Sequence, residues 1–351
     1  MVEKINISRL LELIRENVPV IDVRSPGEYA QARIPGAYSL PLFSDEERKV
    51  VGTAYKQESR EKAIKLGVDY FGLKMSKMIE EVEEWLKNRP TRTVIVHCWR
   101  GGMRSAGVAW LLDLYGFRVY TVIGGYKAFR KWVIEQQAID YPIRVLGGYT
   151  GSGKTEVLSF LKKHDESIID LEGLAHHKGS AFGALGLPPQ PSQEMFENLV
   201  SFELWKCLQN EQPIWIEDES QRMGHVNIPI SLWNTLRTKP VYFVDVPFEN
   251  RLDYIVKHYG KLNRGELAAA ILRIQKRLGG LETKTSLNCL AEGNIKECFR
   301  ILLKYYDKQY SKSLLQRPQP GPTVTTIQCE NPGSENTAIK VLQHAKPTAD
   351  V

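Results

Sequence analysis

A chain of 351 residues, 42% of them hydrophobic and 25% charged, is long enough for two domains with separate cores. Its five cysteines, 98, 207, 289, 298 and 329, are odd in number and form no C-x-x-C pair, which argues against a disulfide framework or a structural zinc site and for reduced thiols in a cytoplasmic setting. Residues 1–6 hold no apolar leader core and no run is long and apolar enough to span a bilayer, so neither export nor a membrane location is expected.

Residues 7–15 repeat apolar side chains at helical spacing, with Leu10, Leu11 and Ile14 on one face and Ser8 as a candidate cap. Residues 18–23 read as a first central strand. It ends at Asp22 and Arg24, expected to form a structural ion pair, and Pro26 starts a turn. A short strand at 37–40 precedes a polar stretch, 44–67, which fits either a surface helix pair or a substrate-contacting insert. After an amphipathic helix at 75–86 comes TVIVHCWRGGMRS, residues 93–105. Its apolar run is a buried strand that delivers His97 and Cys98 into a turn containing Gly101 and Gly102. Such a turn lets successive N–H groups point inward, and a nest of that kind binds anions and lowers the pKa of a thiol held above it. Cys98 is therefore the candidate nucleophile, with Arg100 and Arg104 holding charge, and the helix at 105–115 adds its N-terminus to the anion pocket. A strand at 117–122 and a helix from the 124–126 turn to about 137 complete a first domain, 1–138.

Beyond a linker at 139–142, a strand at 143–146 runs into GYTGSGKT, residues 148–155, a complete G-x4-G-K-[ST] loop followed by a helix to 163. Gly148, Gly151, Ser152, Gly153, Lys154 and Thr155 are the candidate phosphate ligands, and the Thr155 hydroxyl suits Mg²⁺. Further strands are expected at 167–171, 213–217, 241–246 and 324–327, with a closing helix at 336–343 and a tail at 346–351. Acids follow the 213–217 strand, which places Asp218 or Glu219 near the metal. His176 and His177, in a glycine-rich loop at 173–186, lack a companion at ligand spacing, so no structural metal is expected. The proline-rich 187–191 reads as a loop or lid, and 317–322 as a linker. No N-K-x-D sequence is present to read guanine.

The net charge of +6 is unevenly placed: residues 156–250 hold 7 Lys+Arg against 14 Asp+Glu, and residues 251–312 hold 13 against 6. The basic helical region at 251–312 includes Lys257, Lys261, Arg264, Arg273, Lys276, Arg277 and Lys304, interleaved with Tyr254, His258, Tyr259, Tyr305, Tyr306 and Tyr310. It fits a nucleic-acid face with stacking platforms, or else a solvated helical surface.

Cys98-x5-Arg104 also satisfies the H-C-x5-R-S/T pattern of cysteine phosphatases, but no general-acid loop accompanies it. Residues 20–29, VIDVRSPGEY, followed by RIPGA at 33–37, resemble the rhodanese entry motif, with Arg33 where that motif has His. The fold class expected is α/β: a rhodanese-like domain followed by a P-loop NTPase-like parallel-sheet domain, 143–345.

This pair resembles the tRNA 2-selenouridine synthase family over nearly the full chain, through the Cys98–Ser105 loop, the insert GTAYKQ at 52–57, GYTGSGKT at 148–155, WIEDES at 215–220 and KRLGG at 276–280. The resemblance implies a transferase for the wobble 2-thiouridine of tRNAs for Lys, Glu and Gln. The base is first S-geranylated from geranyl diphosphate, then converted to 2-selenouridine with selenophosphate, which a partner enzyme supplies. Cys98 would become a selenylated cysteine and the P-loop would cradle the diphosphate with Mg²⁺, with no tightly bound cofactor. The basic region would hold the tRNA. Two other readings stay open: a tRNA sulfurtransferase with a persulfide on Cys98, and an ATP-switched regulatory protein whose rhodanese domain is a binding module.

Overall fold

The computed structural model describes residues 1–210, 212–318 and 321–345, and the chain divides into two units, Met1–Glu135 and Gln136–Val351. The expected tail at 346–351 and part of the 317–322 linker lie outside the described residues.

In the first unit the elements run β1 (Glu3–Ile5), α1 (Ile7–Arg15), β2 (Val20–Asp22), α2 (Pro26–Gln31), β3 (Tyr38–Ser39), α3 (Asp45–Gln57), α4 (Arg60–Gly72), α5 (Met75–Leu86), β4 (Thr93–His97), α6 (Met103–Leu114), β5 (Arg118–Val122) and α7 (Gly125–Gln136). The sheet is parallel, in the order β1-β5-β4-β2-β3. Helices cover it, so β4 reads as a continuous apolar run with Val94, Ile95 and Val96 fully buried. The α1 cap is Asn6, whose side chain accepts from the Arg9 amide, and not Ser8; Leu13, not Ile14, is buried beside Leu10 and Leu11. The turn expected at Pro26 is the first turn of α2, fixed by a Ser25/Glu28 capping box with proline at the helix start. The 44–67 stretch is the helix pair α3 and α4, each opened by a serine cap, Ser44 and Ser59.

The second unit continues with β6 (Ile143–Gly148), α8 (Lys154–Lys163), β7 (Ile168–Ile169), α9 (Leu171–Ala175), α10 (Gln193–Cys207), β8 (Ile214–Glu217), β9 (Arg222–Met223), β10 (Val226–Asn227), α11 (Ile230–Leu236), β11 (Val241–Asp245), α12 (Phe248–Tyr259), α13 (Arg264–Leu278), α14 (Gly280–Ala291), α15 (Ile295–Leu315), β12 (Val324–Gln328) and α16 (Glu335–Ala345). Its parallel sheet has the order β12-β11-β6-β8-β7. The β6 strand is central, and its carboxyl end opens between β8 and β11, the place where ligands bind in open α/β sheets. The expected linker is packed rather than free: Tyr141 is fully buried in the core around β6. Helix α10 has nine of its 15 residues buried, polar Asn198 and Ser201 among them, so its sequence shows no one-sided apolar stripe. The segment 187–191 is pinned and not a lid. Gln190 donates to the Ala175 and Met223 carbonyls, both at 3.0 Å, and accepts from the His225 amide.

Candidate functional sites: a thiol nest and a phosphate loop

Strand β4 ends at His97, and the chain then wraps Cys98 to Gly102 beneath the start of α6. Cys98 is 3% exposed, and its Sγ lies 3.3 Å from the Ser105 hydroxyl oxygen, which also stands 3.1 Å from the Gly102 carbonyl oxygen. Burial pushes the thiol pKa up, but hydrogen bonds from the Ser105 hydroxyl and from the amides of Ser105, Gly102 and Arg100 outweigh it, and the net direction is down. The expected nest is present, and the groups in it face the sulfur itself.

The nest is held from below by elements far off in sequence. The amides of Tyr126 and Lys127, in the first turn of α7, donate to the Cys98 and Trp99 carbonyls at 2.9 Å each. Gly125 makes that approach possible, since a Cβ there would sit 2.3 Å from the Cys98 carbonyl oxygen, at a φ of +56°. Asp22 and Arg24 form a fully buried pair at 2.6 Å, and the Arg24 guanidinium lies 3.9 Å from the centre of the Tyr126 ring. The structural role expected for the Asp22–Arg24 pair is thus borne out by its burial and its partners. His97 is buried beside them, its Nε2 3.7 Å from Asp22; burial drives its pKa down, opposed by Asp22 and assisted by Arg24.

Of the two loop arginines, Arg100 is exposed, whereas Arg104 is bound to Glu28 at 2.7 Å. Glu28 also pairs with Arg48 of α3 at 2.8 Å, which ties the 44–67 insert to the loop. Burial raises the Glu28 pKa, but Arg104, the Ser25 amide and Arg48 bring it to about 2. Glu28 was visible in the entry motif, but nothing local marks it as the partner of Arg104.

In the second unit Gly148 to Thr155 connects β6 to α8 as expected. Gly153 has a φ of +74°, and a Cβ there would lie 2.2 Å from the Gly333 amide nitrogen. Lys154 Nζ donates to the Gly148 carbonyl at 3.3 Å and stands 3.9 Å from Glu219. Burial lowers the lysine pKa, but Glu219, Glu172, Glu217 and Asp218 more than offset it, and the ammonium stays charged.

The acids divide differently from the expectation. Asp218, which lines the loop's cavity, accepts from the Tyr310 hydroxyl at 2.7 Å and from Arg317 at 2.6 Å, one bond on each oxygen. The carboxylate beside Thr155 is instead Glu172, which accepts its hydroxyl at 3.1 Å, while its own amide donates to Glu217 at 2.8 Å. Glu172 lies in α9, just ahead of the stretch read as a glycine-rich loop. Burial and the charge of Glu172 raise Glu219 to about 8 against the pull of Lys154, and Glu217 and Glu172 are also raised, by burial first. A buried Glu217 oxygen, Oε2, has no hydrogen-bond partner. Among the described residues no three His, Cys, Asp or Glu side chains converge as a metal-holding group; His176 is bound to the Pro189 carbonyl at 2.8 Å.

The phosphate loop opens into a cavity of about 460 Å³. Its lining includes Gly151 to Glu156 with Glu172, Asp218 and Glu219, and the apolar Phe182, Ile255, Tyr259, Phe299, Leu302 and Leu303, of which Ile255 packs against Gly151. The tyrosines expected as exposed stacking platforms belong mostly to this lining. Tyr254 is hydrogen-bonded to Glu156, Tyr306 accepts from the Ala181 amide, and Tyr310 bridges the Gly148 amide and Asp218. The seven basic candidates, Lys257, Lys261, Arg264, Arg273, Lys276, Arg277 and Lys304, are all exposed on α12, α13, α15 and the α12–α13 turn. Arg277 also lines the cavity, as does Lys178, a cation the sequence did not single out; Arg273 donates to the Ala181 carbonyl at 2.8 Å. No helix of the described residues is long and apolar enough to cross a membrane.

Comparison with known proteins agrees with this division. Residues 7–131 match the family described as Rhodanese-like domain, and residues 141–327 match the one described as tRNA 2-selenouridine synthase AAA domain. The chain is 35% identical to the tRNA 2-selenouridine synthase of Sulfurovum sp. over 85% of its own length and 89% of that protein's. It is 34% identical to the one of Hydrogenovibrio crunogenus, over 87% of this chain and 91% of that one. A third, from Nitrosomonas europaea, is 38% identical over 73% of this chain and 67% of the relative. With a thiol nest in its first unit and a phosphate loop in its second, this chain belongs to the tRNA 2-selenouridine synthase family.

Proposed function

We propose that this chain converts the wobble 2-thiouridine of tRNAs for Lys, Glu and Gln to 2-selenouridine by way of S-geranyl-2-thiouridine. The observation that carries the reading is the cavity at the phosphate loop, lined both by the loop and by a set of apolar side chains. A volume of about 460 Å³ is in the range of small-ligand sites, and the apolar lining suits a prenyl chain better than a sugar and base.

In the first reaction the uridine sulfur attacks C1 of geranyl diphosphate. The S–C bond forms as the C–O bond breaks, diphosphate departs toward Lys154 and the loop amides, and the uridine N3 proton is released. Thr155, Glu172 and Glu219 suit a divalent cation because they are oxygen donors gathered at the phosphate loop, where the Thr155 hydroxyl donates to Glu172 at 3.1 Å and Glu219 lies 3.9 Å from Lys154 Nζ. Mg²⁺ held there would supply charge stabilisation to the leaving diphosphate.

In the second reaction the S-geranyl group is exchanged for selenium. Transfer of selenium to a thiol as a selenylated cysteine would leave phosphorus at the oxidation level of phosphite, so electron balance favours another use of Cys98. Its thiolate attacks C2 of the geranylated base, the C2–S bond breaks, and geranylthiolate leaves with a proton. Selenophosphate selenium then displaces Cys98 at C2, and water takes the phosphoryl group as phosphate. Arg100 and the α6 N-terminus supply positive potential to the incoming anion. The exposed basic residues on α12, α13 and α15 contact the tRNA backbone.

Calorimetric titration of the full chain with geranyl diphosphate and with ATP, with and without Mg²⁺, tests the reading. Geranyl diphosphate should bind, and Lys154→Ala should weaken it. ATP binding that geranyl diphosphate fails to displace would return the P-loop to a nucleotide role.

A further inference from the structure

The loop around Cys98 carries one large aromatic ring that packing of the core leaves unexplained. Of the seven tryptophans in the chain, only Trp99 and Trp110 are exposed. Trp99 belongs to the nest itself. It stands between Cys98 and Arg100, whose amide is one of the hydrogen bonds on the sulfur, and it is 37% exposed where Cys98 is 3%. An indole left partly in water forgoes burial that would stabilise the fold.

That ring is fixed, not loose. The Trp99 carbonyl accepts from the Lys127 amide at 2.9 Å, and the indole centre lies 5.6 Å from that of Tyr126, with 40° between the ring planes. Tyr126 is fully buried and is itself packed on Phe129, ring centres 6.1 Å apart. The indole therefore rests on the core and keeps the remainder of its surface for solvent, which is a preorganised contact. Residues 99–103 are all exposed, and Trp99 is the only ring among them. A Cβ at Gly102 would meet nothing within 4 Å, so the space beside the loop is open there.

We infer that Trp99 is the stacking platform on which the wobble base lies while its C2 meets Cys98. This rests on the reading above that Cys98 acts on that base, and it adds what holds the base in place. A thiolate adds to a planar ring carbon from above the ring plane, so a base laid flat on an indole beside the sulfur presents the face that reacts. Every base has a π-face, so Trp99 contributes grip and orientation and does not itself choose uridine over another base.

The test uses the full chain as wild type, Trp99→Ala, Trp99→Phe and Trp110→Ala, with kcat and KM measured for 2-selenouridine formation from S-geranyl-2-thiouridine tRNA and selenophosphate. Trp99→Ala should lower kcat/KM about tenfold, within the range that base–aromatic stacking carries on alanine substitution. Trp99→Phe should recover most of the loss, and Trp110→Ala should stay at the wild-type value. The emission lost between wild type and Trp99→Phe belongs to Trp99, and an anticodon stem-loop with its wobble base should quench it where an abasic one does not. Alkylation of Cys98 by iodoacetamide, read on its peptide by mass spectrometry across pH, should keep its midpoint in Trp99→Ala. A midpoint that rises would mean the indole shapes the nest instead of holding the base, and would overturn the platform, as would wild-type kcat/KM in a folded Trp99→Ala protein. A wild-type chain that forms no 2-selenouridine from the geranylated tRNA would overturn the function proposed above, whereas base-dependent quenching of Trp99 would still support the platform.

Discussion

The two loops are built alike and used differently. Each is a strand, a glycine turn and a helix at the carboxyl end of a parallel sheet, β4 to α6 in one unit and β6 to α8 in the other. In the first, the loop amides are turned on the chain's own sulfur, and the nearby arginine is matched by Glu28. In the second, the loop faces a cavity with one buried lysine against several buried acids. The nest stabilises a charge that is part of the protein. The phosphate loop leaves a charge pattern that a ligand and its cation must complete. On the function proposed above, the same local geometry serves a nucleophile in one place and a leaving group in the other, and what differs is which groups lie around each loop.

The sharpest way to break this comparison is to remove the sulfur. Cys98→Ser should abolish 2-selenouridine while tRNA binding and S-geranylation persist, because a serine hydroxyl is not ionised at neutral pH. Nucleoside analysis showing loss of both products would mean the loops do not divide the work.

A hundredfold effect is expected on the other side. Lys154→Ala removes the fixed cation nearest the departing diphosphate, a loss of about 2–4 kcal/mol in the transition state, or roughly a hundredfold or more in geranylation rate. Initial rates with geranyl diphosphate check this, and full activity in a folded Lys154→Ala protein would remove the assignment.

The acid cluster sharpens the contrast through stability. Glu219 has a folded-state pKa raised from 4.5 to about 8, so the native state keeps a proton that the unfolded chain has lost. Its contribution is fully present below 4.5 and is lost as pH rises through about 8. Without divalent cation, Tm should therefore fall across that window. Glu219→Gln should flatten the fall, and Mg²⁺ should raise Tm most at the alkaline end. A wild-type Tm profile unchanged by Glu219→Gln would contradict the charge balance drawn here.

The smallest effect concerns the basic face. Reversing Lys276 and Arg277 to Glu should weaken tRNA affinity and reduce the salt dependence of binding by roughly one log–log unit for each phosphate no longer neutralised. Filter binding across a salt series reads the slope, and an unchanged slope would place the tRNA elsewhere.

Both loops were legible because each is written in contiguous residues whose spacing carries its own mechanism: Cys98 to Ser105, and Gly148 to Thr155. What surrounds them was not. Glu28 reaches Arg104 across 76 positions and Tyr310 reaches Gly148 across 162, so no local pattern links either pair. Asp218 follows its strand as a metal-binding acid would and also accepts from Tyr310 and Arg317, while Glu172 takes the place beside Thr155. The tyrosines of the basic region had the composition of a nucleic-acid face, but helical spacing turns Tyr306 and Tyr310 toward the cavity. Short edge strand β1 escaped notice because only Ile5 of its three residues is buried.

The central claim, that prenyl transfer and selenium exchange belong to separate loops, is tested most directly by complementation. Cys98→Ser protein with geranyl diphosphate is used to prepare S-geranyl-2-thiouridine tRNA, which is then given to Lys154→Ala protein with selenophosphate, and the nucleosides are quantified by mass spectrometry. The expected result is 2-selenouridine at close to the wild-type yield, although neither variant alone forms it efficiently from 2-thiouridine. A Lys154→Ala protein that cannot process tRNA already geranylated, while remaining folded and able to bind it, would contradict the account.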